Sequence, residues 1–275
     1  MKSIVIGILL SIFLVTGAKA QLEFITYNIR LNTEDDGEHA WPNRRDQVIS
    51  LFKFHRAEIF CVQEALPDQI QDLRDAFPGF NYEGVGRDDG KQKGEFSAIF
   101  FNKDIFLRKS GGTFWLSETP DQCSIGWDAA YKRVCTWILL EERESKKQFF
   151  VFNTHFDHVG TEARRESARL IIRKIDEIAD KYPIVLCGDF NLSPESEPIG
   201  EIKQSYLDAF DVSKLPPYGS VPTFHGFTYD SKPGKRIDYV FVSKDVDVLR
   251  YGVLTDSRDR KFFSDHLPVL VTLDF

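Results

Sequence analysis

Residues 148–191 read QFFVFNTHFDHVGTEARRESARLIIRKIDEIADKYPIVLCGDFN, and the fold class turns on this stretch. Gln148 to His155 is an apolar strand that ends on polar groups. Thr161 to Tyr182 follows as a helix, with Ala163, Leu170, Ile171, Ile175, Ile178 and Ala179 at helical spacing on one face. Pro183 cannot continue a helix and marks its stop. Ile184 to Cys187 is short, apolar and β-branched, a buried strand, and it ends on Gly188-Asp189-Phe190-Asn191. The unit is strand, helix, strand, with ionisable groups at both strand ends.

An earlier stretch repeats the plan. Leu22 to Ile29 alternates as a strand and carries Asn28 at its end. Asn43 to His55 places Val48, Ile49 and Phe52 at helical spacing, and Ala57 to Gln63 is a second buried strand that ends on Glu64. Two such halves packed sheet on sheet put both rims around one cleft, because binding groups in open α/β sheets gather at strand ends. Between and after them the sequence predicts a helix from Pro67 to Phe77. It predicts strands at Tyr82–Gly86, Phe96–Phe101, Ile105–Leu107, Val134–Glu141, Ile237–Val242 and Leu267–Leu273, and has Phe114-Trp115-Leu116 lead into an irregular aromatic loop. No linker or low-complexity run divides residues 21–275, so the expectation is one α/β domain.

The first twenty residues have another character. Lys2, the apolar run Ile4 to Val15 and Ala18-Lys19-Ala20 form the three parts of an export signal. The run falls short of the about 20 apolar residues that a membrane span needs. The expected product is a periplasmic or secreted monomer starting at Gln21, with no membrane span. Formal charge is −7; without Lys2 and Lys19, Lys+Arg drops from 35 to 33 against 42 Asp+Glu, which leaves −9. Tight non-specific binding to nucleic acid wants a basic surface, so nucleic acid is not the favoured partner. Cys61 and Cys187 lie in apolar runs and read as buried thiols. Cys123 and Cys135 flank the aromatic loop, where export would permit a disulfide.

Five strand ends carry the chemistry: Thr26-Tyr27-Asn28, Gln63-Glu64, Asn153-Thr154-His155, Gly188-Asp189-Phe190-Asn191 and Ser264-Asp265-His266. Asp238 adds an acid at a strand start. One Asp at a strand end is ordinarily a turn former, but six such placements point to a site. A cluster of Asp, Glu and Asn oxygens selects a hard cation, Mg²⁺ or Mn²⁺, and the lack of thiolates argues against structural zinc. Asp189 and Asn191, two apart on a strand end, face the same side. The acid can take a proton from water while the amide holds a reacting oxygen. An Asp paired to His266 would fix its tautomer and raise its basicity. His158 reads equally as a partner of the site or as a surface histidine.

Taken together, these segments resemble the endonuclease/exonuclease/phosphatase superfamily, in motif order from Tyr27 to the C-terminus, and most of all an exported bacterial branch of it. The resemblance implies a four-layer α/β/β/α sandwich with the cleft at one rim. It implies Glu64 as the main metal ligand with Asn28 beside it, and Asp265 as a further metal or phosphate-site acid. Asp189 would orient or deprotonate the attacking water with Asn191 as helper, His266 would bind phosphate in partnership with Asp238, and His155 would be a second catalytic histidine. The AP endonucleases of the superfamily place an Asp two residues after the first Asn; here that position is Arg30, which speaks against AP-site activity. Trp115, Trp127, Arg133 and His158 are the expected substrate wall, with loop packing as the alternative for the first three.

The expected activity is hydrolysis of a phosphomonoester or phosphodiester by metal-assisted in-line attack of water, with Mg²⁺ as cofactor, on a small or carbohydrate-linked phosphate. An extracellular nuclease on DNA or RNA is the alternative. A non-catalytic binding protein on the same scaffold would have lost some of these residues, and none is missing.

Overall fold

The computed structural model describes residues 21–229 and 234–275; the expected export signal falls outside the described residues. In chain order the first half comprises β1 (Leu22–Asn28), α1 (Trp41–Phe54), β2 (Ile59–Ala65), α2 (Pro67–Ala76), β3 (Phe80–Glu83), β4 (Phe96–Asn102), β5 (Phe106–Trp115) and β6 (Val134–Glu142). The second comprises β7 (Gln148–His155), α3 (Thr161–Ala179), β8 (Ile184–Asp189), α4 (Glu197–Ser205), β9 (Leu207–Asp208), α5 (Ala209–Val212), β10 (Tyr218–Gly219), β11 (Asp238–Val242) and β12 (Asp247–Val253). The short pair β13 (Ser257–Arg258) and β14 (Lys261–Phe262) and the last strand β15 (Val269–Asp274) complete the chain.

Two mixed sheets result, in the orders β10-β12-β15-β1-β2-β4-β3 and β5-β6-β7-β8-β11-β9. Three apolar clusters separate four layers. Phe24, Ile59, Cys61, Val151, Val185, Val240 and Val271 lie between the sheets. Val48, Phe52 and Leu73 of α1 and α2 pack on the outer face of the first sheet against Ile25, Phe60 and Phe100. Ala168, Ile171 and Ile175 of α3, with Ile199 and Ile202 of α4, cover the second sheet at Phe152, Leu186 and Phe241. Each fully buried Val, Ile, Leu or Phe contributes about 1.5–3 kcal/mol, so the periodic positions suffice to drive the layering. No helix of the described residues is long and apolar enough to cross a membrane.

The two strand-helix-strand units form in both halves. β1 and β2 are parallel with Asn28 opposite Gln63, and β7 and β8 are parallel with His155 opposite Asp189. Both ladders therefore end at one rim. Asn153 and Gln63 tie the sheets together there. The Gln63 amide donates to Asn153 Oδ1 at 2.6 Å, and Asn153 Nδ2 donates to Val62 O and Ala98 O.

Several expectations change. The strand expected at Ile105–Leu107 is the start of the longer β5, which runs on to Trp115 through a polar middle that holds Gly111 and Gly112 and bulges between Arg108 and Ser110. β5 is an edge strand, so that middle has no apolar face to keep. β12 gave no strand signal, because a bulge between Val248 and Arg250 breaks its alternation. All four cysteines are free: Cys135 is buried, whereas Cys123 is exposed with its thiol on Asp88 O at 2.9 Å. The Cys123–Cys135 bridge does not form.

Candidate active site

Backbone geometry aims the cleft side chains. β2 spends one more residue than β4 between their matched pairs Val62–Ala98 and Ala65–Phe96. That bulge holds Glu64 at φ +63° and turns its carboxylate toward the cleft. At the end of β8, Gly188 has φ +138°, and a Cβ there would sit 1.9 Å from Thr154 O. Only glycine lets β8 run close enough to β7 to set Asp189 beside His155. β11 runs antiparallel to β8 and starts at Asp238, in register with Asp189. Its acid therefore arrives at the same rim although it opens a strand.

Asp189 is the meeting point. Its Oδ2 accepts from Asn28 Nδ2 at 3.0 Å and lies 3.4 Å from His155 Nε2 and 3.6 Å from His266 Nε2; its Oδ1 accepts from Asn191 N at 2.9 Å. Burial, helped by the charge of Asp238, pushes its carboxyl up to about 7, with His266 acting the other way. A carboxylate poised near neutrality is suited to take a proton from water.

The two histidines are held in opposite states. His266 Nδ1 is 2.9 Å from Asp238 Oδ2. Burial disfavours its charge, but Asp238 and Asp189 outweigh burial and hold the ring well above the usual imidazole range, so it is a cation. His155 is pushed well below that range, first by burial and then by Arg133 and Arg87. Asn191 Nδ2 donates to Phe156 O at 3.0 Å and faces His155 Nε2 at 3.1 Å. Nε2 is then an acceptor, and the proton of the neutral ring sits on Nδ1. That nitrogen is buried without a hydrogen-bond partner, 3.9 Å from Glu95 Oε2.

Carboxylates crowd the floor. Asp265 is raised by burial and then by the charge of Glu64, with His266 opposing. Glu95 is pushed up to about 7 by burial and by Glu64, against Arg87 and Arg133. This frustrated acid set fits a divalent cation, which would be held by Glu64 and Asp265. Asn28, expected beside the metal, turns its amide NH₂ to Glu64 Oε1 and Asp189 Oδ2, both at 3.0 Å, while its oxygen accepts from Arg30 N. In this orientation it bridges the metal acid and the base. Asp189, Asp238 and His266 also form a compact set of potential ligand atoms. There, however, His266 Nδ1 is already paired with Asp238 Oδ2 at 2.9 Å, a contact that a metal on the same atoms would replace.

The cleft has a volume of about 920 Å³ and takes in Arg30, Glu64, Arg87, Glu95, Tyr131, Arg133, His155, His158, Asp189, Asn191, Phe224, Lys235, Asp265 and His266. Asn28 and Asp238 do not line it but hold Asp189 and His266 from behind, so only two of the expected site residues, Trp115 and Trp127, stand apart from the site. Trp115 is buried, with its indole N–H on Arg87 O at 2.8 Å. Trp127 packs against the α3-side core and its backbone N–H donates to Glu118. Neither lines the cleft. Sequence reasoning missed Arg87, Glu95 and Tyr131. Glu95 directly precedes β4, and β4 runs antiparallel to β2. Acids before strand starts, as with Asp238, were the available signal.

The sequence matches the model of the Endonuclease/Exonuclease/phosphatase family over residues 25–266. The chain belongs to this family. Within it, the structure of an endonuclease/exonuclease/phosphatase from Bacteroides vulgatus is 38% identical and covers 94% of this chain and 100% of that one, with a TM-score of 0.90. A mannosyl-6-phosphatase from Bacteroides thetaiotaomicron is also 38% identical, covering 92% of this chain and 100% of that one, at a TM-score of 0.88. The human Nocturnin catalytic domain with bound sulfate, 20% identical over 93% of each chain at 0.72, shares the fold. An Acanthamoeba polyphaga mimivirus protein is 30% identical across 58% of this chain and 62% of its own length. The Aspergillus niger exoribonuclease subunit Ccr4 is 24% identical across 57% and 31%. This chain therefore spans less than two thirds of these curated relatives. Endonuclease/exonuclease/phosphatase members are hydrolases of phosphate esters and in general depend on a divalent metal. The acid-rich floor around Glu64 agrees with that chemistry.

Proposed function

We propose that the chain from Gln21 to Phe275 is a single exported, Mg²⁺-dependent phosphoesterase domain that hydrolyses a compact, carbohydrate-linked phosphate. The observation that carries hydrolysis is the convergence of Asn28, His155, Asn191 and His266 on Asp189. The similarity to the mannosyl-6-phosphatase supports a sugar phosphate as the substrate.

Each residue has a part that its surroundings prescribe. Asp189 orients water and takes its proton. Asn28 and Asn191 keep the Asp189 carboxylate from rotating. The His266 cation, anchored by Asp238, attracts a phosphoryl oxygen and offsets the charge that grows on it. Neutral His155 presents its Nδ1–H to a second oxygen. A divalent cation, which Glu64 and Asp265 would hold, would supply Lewis-acid stabilisation of charge on the phosphate ester. Arg133, 5% exposed, lies 3.8 Å from Glu95 and 3.6 Å from Asp157 and closes the cleft beside His155.

The nuclease relatives favour a second reading, cleavage of RNA or DNA. Against it stands the charge of −7, and −9 after loss of the export signal. The deciding test is a panel of hexose 6-phosphates, lipid head-group phosphodiesters, plasmid DNA and RNA, each with Mg²⁺ and with EDTA. Hexose phosphate turnover that EDTA abolishes supports the proposal. Robust, salt-sensitive cleavage of nucleic acid with no action on sugar phosphates replaces it with the second reading.

A further inference from the structure

One wall of the cleft acts on the hydrolytic step only from a distance, through the charges of Arg87 and Arg133 on His155. Arg87 Nη1 donates to Glu95 Oε2 at 2.6 Å, and the Arg87 guanidinium lies over the Tyr131 ring, 5.3 Å from its centroid. The His158 ring stacks on Tyr131 at 5.9 Å and 18°, and its Nδ1 is 3.3 Å from Arg133 Nη2. Tyr131 is half exposed, whereas Arg87 and Arg133 are buried. Arg87 Nε and Arg133 Nε and Nη1 have no hydrogen-bond partner. Glu95 Oε2 is 3.9 Å from His155 Nδ1, so this wall begins beside His155.

The wall is also built to stay in place. Trp115 Nε1, Cys123 Sγ and Lys132 Nζ fasten the 86–95 loop through Arg87 O and Asp88 O, at 2.8, 2.9 and 3.0 Å. Asp157 fixes the other loop, since its Oδ2 accepts from Tyr131 N while its Oδ1 accepts from Val159 N and Gly160 N. Groups held this firmly bind with little further ordering cost.

The donor and acceptor content tells which ligand suits it. A second phosphate wants donors only and would face the Glu95 carboxylate. A long polyanion wants cations spread along a rim. A nucleobase wants a free aromatic face, and here Tyr131 already carries a guanidinium and an imidazole. Ring hydroxyls both donate and accept, and they match alternating Arg, Glu, His and phenol groups. We propose that Arg87, Glu95, Tyr131, Arg133 and His158 form a subsite for the hydroxyls of a neutral sugar leaving group, so that the preferred substrate is a hexose bearing a single phosphate. This rests on the phosphoesterase reading and narrows it.

The test measures kcat/KM of the full-length mature enzyme with Mg²⁺ on hexose 6-phosphates, a hexose 1,6-bisphosphate and p-nitrophenyl phosphate. The variants are Tyr131→Ala, Tyr131→Phe and His158→Ala, each checked by thermal melting. The ratio of hexose 6-phosphate to p-nitrophenyl phosphate should fall about tenfold in Tyr131→Ala and His158→Ala, mainly through KM, as expected for one or two lost hydrogen bonds. The wild type should prefer the monophosphate to the bisphosphate, and free hexose should compete with p-nitrophenyl phosphate less well in the alanine variants. Unchanged ratios in variants that melt like wild type, or a preference for the bisphosphate, overturn the subsite and leave the phosphoesterase reading standing. A wild type that cleaves p-nitrophenyl phosphate but no sugar phosphate overturns the substrate reading and the subsite with it. Should a variant fail to fold, competition by free hexose in the wild type decides: its absence overturns the subsite.

Discussion

His266 and Asp238 touch through one buried contact, Nδ1 to Oδ2 at 2.9 Å, with 4% and 1% exposure. A hydrogen bond between charged partners is worth about 1.5–3 kcal/mol net. Removing either partner should cost activity in the roughly 10²–10⁴ range typical of acid–base and electrostatic groups. If His266→Ala costs ~10³ and Asp238→Ala ~10², independent action gives ~10⁵ in the double variant, whereas a single unit gives ~10³. The difference of two decades is about 2.7 kcal/mol of coupling, within the range for that hydrogen bond. The assay is kcat/KM on p-nitrophenyl phosphate at saturating Mg²⁺, with melting curves for all four proteins. Asp238→Ala has a second readout. Asp238 is, after burial, what pushes the Asp189 carboxyl up to about 7, so its removal should move the acid limb of the rate profile to lower pH. Additivity within about 0.5 kcal/mol would refute the idea that the pair works as one device.

Four other outcomes are expected. Glu64→Ala should lower the affinity for Mg²⁺, read by calorimetry, and leave the melting point of the metal-free protein near wild type; full activity in EDTA-dialysed wild type would remove the metal from the mechanism. Asp189→Asn should lower kcat by roughly 10²–10⁴, because an amide cannot take the water proton; near-normal turnover would assign the base elsewhere. Asp189 and Glu95, both pushed up to about 7, keep protons in the fold that the unfolded chain has released by about pH 5. The metal-free fold therefore loses stability as pH climbs from about 4 through 7, and the Mg²⁺-induced rise in Tm should be larger at pH 8 than at pH 6, an equal rise counting against it. Arg133→Ala should raise KM for the natural substrate and, by leaving Glu95 and Asp157 without the cation at 3.8 and 3.6 Å, also lower stability by about 3–5 kcal/mol, measured by urea titration.

The sequence by itself determined the layering and most of the site, because both depend on short-range pattern. Apolar runs of period 2 and 3.6 mark the faces that must be buried. Polar residues that stop an apolar strand, such as Asn28, Glu64, His155 and Asp189, announce themselves as rim groups. Tertiary structure decided what depends on strand direction and on partners far along the chain. Glu95 belongs to the site because β4 enters the rim where β2 leaves it, and an acid before a strand looks like any turn residue until that pairing is known. Trp115 looked like a substrate wall, since it leads into an irregular segment between strands, and such loops carry specificity. In the fold it is buried, and its N–H holds Arg87 O at 2.8 Å, so it shapes the cleft from behind. The opposite charge states of His155 and His266 were likewise beyond any local pattern. Both are buried rings at the same rim, and only the neighbours that folding supplies, arginines for one and aspartates for the other, set them apart.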